Sequence, residues 1–114
     1  MKQTLLAGIA LAFTATGAAA HSKAKETLPA DAATVASVPF IEMRFNDAMR
    51  ITVILMSGPD GEVELTRETG MDPVTEFRAL PPRELPDGAY EVNWRGMSSD
   101  GHPMQGSFAF EIAN

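Results

Sequence analysis

An all-β domain, an antiparallel sandwich or barrel with Greek-key connections, is the fold class this sequence predicts, on three observations. Apolar residues recur at every second position in several separate segments, clusters of Gly, Pro and Asp punctuate those segments, and no helical period of useful length survives beyond the first twenty residues. Strand spacing alone does not choose between sandwich and barrel.

The opening residues form a separate unit. Met1 and Lys2 precede an apolar stretch from Leu5 to Phe13, which thins into Ala18-Ala19-Ala20. That is the three-part pattern of a secretory signal peptide, and the run is shorter than the roughly 20 apolar residues a membrane-spanning helix needs. Residues 1–20 are therefore expected to be a cleaved signal peptide and 21–114 an exported mature domain beginning at His21. The 94 residues that remain of 114 suffice for one domain with one modest core.

Within that domain, residues 21–30 are polar and read as an arm or weak edge strand ended by Pro29, and Asp31 to Ser37 as a small-residue connection. Phe40 to Phe45 alternates strictly, with Ile41, Met43 and Phe45 on one face and Glu42 and Arg44 on the other, the period of a half-buried strand. Ile51 to Met56 is β-branched and almost continuously apolar, as in a central strand. The stretch from Ser57 to Gly61 supplies turn chemistry, after which Glu62 to Arg67 alternates again with Val63 and Leu65 inward. Glu76 to Leu80 is a short strand before Pro81-Pro82. Following the turn at Leu85-Pro86-Asp87-Gly88, Tyr90, Val92 and Trp94 alternate with Glu91, Asn93 and Arg95, and a last strand carries Phe108, Phe110 and Ile112 on one face.

Charge and cysteine content narrow the function. Loss of Lys2 with the signal leaves eight basic against fifteen acidic residues, taking the formal charge from −6 to −7. That sign disfavours nucleic acid or an anionic membrane as partner and suits a cation. With no cysteine there is no disulfide framework and no thiolate ligand, so any transition-metal site must use His, Met, carboxylate or backbone nitrogen.

The two histidines occupy unusual places. At a processed N-terminus, His21 would offer a free α-amine and an imidazole Nδ1 that can close one chelate ring on a single ion. Cu(II) favours square-planar or tetragonal N/O surroundings, to which this one residue brings two neighbouring nitrogens. His102 lies in Ser98-Ser99-Asp100-Gly101-His102-Pro103, where Pro103 biases it towards extended geometry; residues two apart then face the same way, and Asp100 and His102 can address a common spot. Ser98 and Ser99 show neither a nucleophile elbow nor an ordered triad. Met43 and Met56 fall inside strands as core filler, while Met97 and Met104 flank the His102 loop.

Taken together, these residues resemble the CopC family of periplasmic copper-resistance proteins. The pattern is a Leu-Pro-x-Gly turn at Leu85 to Gly88, the strand Tyr90-Glu91-Val92-Asn93-Trp94-Arg95, the loop from Ser98 to Pro103, then Gly106 and a final apolar strand. Upstream, His21, Pro29-Ala30, Thr34-Val35 and Ile41 to Phe45 also fall in the family's register. The resemblance implies a seven-stranded immunoglobulin-like Greek-key β-sandwich with one Cu(II) per chain at one end, held by His21, Asp100 and His102, with Asp100 either an oxygen ligand or a group that orients a ligand. Asp47 falls where some relatives place a ligating Glu. Between Met56 and Met71 there is neither Met nor His, so a separate methionine-rich Cu(I) site is not expected.

The function implied is a monomeric periplasmic Cu(II) carrier or chaperone in copper resistance and homeostasis, without turnover. Its candidate recipients are an inner-membrane copper importer or another periplasmic copper protein. The competing reading is a copper-dependent oxidative enzyme, in which an N-terminal His also binds copper.

Overall fold

The computed structural model describes residues 24–114; the expected signal peptide and His21 lie outside them. Among the described residues every regular element is a strand: β1 (Glu26–Leu28), β2 (Ala33–Val35), β3 (Ile41–Gly58), β4 (Gly61–Val63), β5 (Thr66–Arg67), β6 (Val74–Leu80), β7 (Gly88–Ser98) and β8 (Pro103–Ile112). They join in the order β2-β8-β7-β3-β6-β5, with β1 and β4 also paired to β3. All pairings are antiparallel except β2 with β8.

The expected all-β sandwich class is the one the chain adopts, in eight strand segments rather than seven. Two strands anticipated separately, around Ile41–Phe45 and Ile51–Met56, run as the single 18-residue β3. Its first half pairs with β1 and β6 and its second half with β7 and β4. The pairing slips between Arg44 and Met49, and again between Ile51 and Val53. Irregularities of this kind bend a strand and sharpen its twist, and here they carry β3 from one layer to the other. Conversely, the stretch anticipated as one strand over Glu62–Arg67 divides: β4 closes a hairpin on β3, and β5 crosses to β6. The segment read as a plain connection contains β2, three residues laid parallel on β8.

Alternation places the core. Ile41, Met43 and Phe77 are fully buried from one layer and Val92, Trp94, Phe108, Phe110 and Ile112 are buried from the other, in one continuous cluster. Phe45 meets Trp94 edge-on at 5.2 Å, an arrangement that favours aromatic pairs. Tyr90 stacks on Phe110, and its hydroxyl donates to the Pro86 carbonyl at 2.5 Å, the tyrosine corner of immunoglobulin-like sandwiches. Met43 and Met56 are core residues, as expected.

Glu42 departs from the expected pattern. Alternation assigns it to the open face with Arg44, yet its side chain is only 2% exposed. Arg44 Nε donates to one of its oxygens at 2.9 Å and Arg78 Nη2 to the other at 2.8 Å. The two guanidiniums cover the carboxylate, and Arg78 is itself stacked over Phe40 at 4.0 Å. Burial pushes the Glu42 pKa up, but the hydrogen bonds from Arg78 and Arg44 outweigh it and leave the carboxyl below its ordinary value.

Candidate metal centre

The site is the hairpin that joins the two longest strands after β3. β7 and β8 pair without interruption from Gly88↔Ile112 to Met97↔Pro103, and residues 99–102 turn the chain. The turn is closed from both sides: Ser98 N–H donates to the His102 carbonyl and Gly101 N–H to the Ser98 carbonyl, each at 2.9 Å. Gly101 has φ +89°, left-handed backbone that glycine accepts without steric cost. Just before the hairpin, β3 bulges opposite Gly96, where a Cβ would lie 2.6 Å from the Arg50 carbonyl oxygen; only glycine lets the two backbones approach there.

At the tip, the turn brings Asp100 and His102 together. His102 Nδ1 lies 2.9 Å from Asp100 Oδ1, and both side chains are exposed, 74% and 68%. The sequence argument expected the pair to converge through extended backbone; a turn delivers it instead, because Gly101 reverses the chain between them. Ser98 supports both. Its hydroxyl donates to Asp100 Oδ1 and accepts the His102 N–H at 3.1 Å. The Ser98 hydroxyl, followed by the His102 ring, holds the Asp100 pKa down at about 2, so Asp100 is an anion throughout the neutral range.

Around this pair lies an open cleft lined also by Asp47, Thr52, Arg95, Met97, Met104 and Gln105. Asp47 sits in the irregular stretch of β3, so the bend that shifts register also turns this carboxylate to the hairpin end. Met97 is 40% exposed, whereas Met104 packs against the core. Among the described residues no three His, Asp or Glu side chains are grouped to hold a metal ion. The structure therefore joins two of the three expected donors, Asp100 and His102, and the third, His21, lies outside the described residues.

Ser98 is the residue that sequence reasoning passed over, having weighed it only as a nucleophile. The available signal was a hydroxyl two residues before an Asp in a tight turn, where Ser and Asp side chains commonly bond locally.

The CopC domain model matches residues 24–113. Copper resistance protein C of Escherichia coli is 29% identical, over 98% of this chain and 97% of that protein. Copper resistance protein C of Pseudomonas syringae pv. tomato is 30% identical, over 83% of this chain and 82% of that protein. The crystal structure of PcoC, a methionine-rich copper resistance protein from Escherichia coli, superposes with a TM-score of 0.65 at 30% identity, covering 82% of this chain and all of that one.

Proposed function

From the premise that this chain belongs to the CopC domain family, and so to a family of copper resistance proteins, we propose that it is a periplasmic carrier of one Cu(II) ion. In this reading the signal peptide is removed after Ala20, His21 gives its α-amine and imidazole, His102 gives a third nitrogen, and Asp100 gives either an oxygen or a bond that orients a ligand. Copper is cargo, passed to a copper importer or another periplasmic copper protein, and no substrate is turned over.

The observation that carries the reading is the direction of β1. It runs antiparallel to β3 with Glu26 opposite Arg44 and Leu28 opposite Glu42, and Lys25 N–H still donates to the Arg44 carbonyl at 2.7 Å. Going backwards along the chain from Glu26 thus leads towards higher numbers on β3, to Asp47 and Met49. Met49 pairs with Ser98, at the base of the Asp100–His102 hairpin. His21 stands three positions before Ala24, a reach of about 10 Å for extended chain. In this reading the arm continues in that direction and reaches the end of the sandwich where two donors already stand together.

Copper titration of the processed protein with electron paramagnetic resonance tests this. One tight Cu(II) per chain with coupling to several nitrogens is expected, and a chain carrying one extra residue before His21 is expected to bind far more weakly, since its α-amine no longer closes the chelate. Equal affinity in the extended chain, or a spectrum without nitrogen coupling, would overturn the proposal.

A further inference from the structure

We propose that Ser98 is a positioning residue for copper binding, an inference that rests on the Cu(II) site proposed above: its hydroxyl holds Asp100 and His102 in place before an ion arrives. A serine hydroxyl has one proton and two lone pairs. Here the proton goes to Asp100 Oδ1 and a lone pair takes the His102 N–H. The same residue closes the turn through its own N–H and carbonyl, so four hydrogen bonds of the hairpin converge on Ser98.

Position explains why this one side chain matters. Ser98 is the last residue of β7, half-buried and in register with Met49 on β3, so it moves with the sheet. Asp100 and His102 are mostly exposed, and among the described residues their side chains bond only to Ser98 and to each other. An exposed carboxylate and imidazole with no other anchor sample several rotamers, and affinity falls when binding has to order them. Ser98 removes that freedom in advance. Asp100 Oδ2 and His102 Nε2 make no hydrogen bond within the described residues, so the support leaves both groups donor atoms to spare. Ser99, the neighbouring hydroxyl, makes no side-chain bond among the described residues and is the natural control.

The test uses the processed chain and Cu(II) in competition with a chelator of known affinity. Ser98→Ala is expected to lose about 10- to 100-fold in affinity, the usual effect of removing a group that orients a ligand. Ser98→Thr should stay within a few-fold of wild type and Ser99→Ala should be unchanged. Without copper, amide exchange at His102 should speed up in Ser98→Ala and not in Ser98→Thr, a readout that needs no metal. Should Ser98→Ala lower the copper-free melting temperature, Ser98→Val against Ser98→Thr isolates the hydroxyl, and the valine variant is expected to bind more weakly. Wild-type affinity in Ser98→Ala, or equal affinity in the Thr and Val variants, would overturn the inference and leave the copper site standing. A wild-type chain that binds no Cu(II) would overturn the site itself.

Discussion

His102 and Asp100 stand within hydrogen-bonding distance, yet their substitution should have unequal effects. His102→Ala removes a nitrogen donor that no other histidine of the described residues can replace, since the sequence has two in all and His21 is the other. Asp100→Asn keeps the size and one acceptor oxygen while removing the charge that the Ser98 hydroxyl and the His102 ring both favour. We expect Asp100→Asn to weaken Cu(II) binding about 10- to 100-fold and His102→Ala to weaken it more, as read by chelator competition. Both variants should bind less well as the medium is acidified, because a protonated amine or imidazole cannot ligate. At this scale the pairing of Asp100 with His102 was legible from their two-residue spacing, but the turn at Gly101 that produces it was not, since an extended segment was expected there. The hydroxyl beneath them went unread, although Ser98, two residues before Asp100, carried the local turn signal.

Among the elements, β3 carries most of the architecture and the least expected interaction. Glu42, with Arg44 beside it and Arg78 across on β6, ties two strands through a carboxylate that water barely reaches. Its folded pKa lies below the ordinary 4.5. The pair therefore contributes its full stability above about that pH, and the contribution is lost as pH falls through the lower folded value. Glu42→Gln is expected to destabilise the neutral protein by about 1.5–3 kcal/mol, the range for hydrogen bonds to charged groups. The difference from wild type should shrink on acidification below pH ~4.5, as followed by urea unfolding at several pH values; a constant difference would contradict this account. Periodicity found both halves of β3 but not their union. The polar pair Asn46-Asp47 breaks the alternation, and only pairing with neighbouring strands shows that the backbone stays extended through the break. β2 escaped detection because three small or β-branched residues carry no period, and its partner β8 lies more than 70 positions away.

For the molecule as a whole, copper binding and folding should be linked. An ion that binds only the native state at 100 times its dissociation constant adds about 2.7 kcal/mol, and each kcal/mol shifts the melting temperature of a domain this size by about 4–8 °C. An unfolded chain still carries the His21 amine and ring, so the shift reports mainly what the folded hairpin adds. Calorimetry should accordingly show Cu(II) raising the melting temperature of the mature wild type by several degrees and that of His102→Ala very little. The sequence by itself determined the all-β class, the inward residues of β7 and β8, the hairpin with Asp100 and His102, and the family, because alternation, turn residues and short motifs act over a few neighbouring positions. Tertiary structure alone decided that β3 passes between layers, that Glu42 is buried, that Asp47 shares the cleft with His102, and that β1 pairs antiparallel with β3. Each of these depends on which distant strands pair and in what register, a choice made by packing the whole core and not by any local stretch of chain.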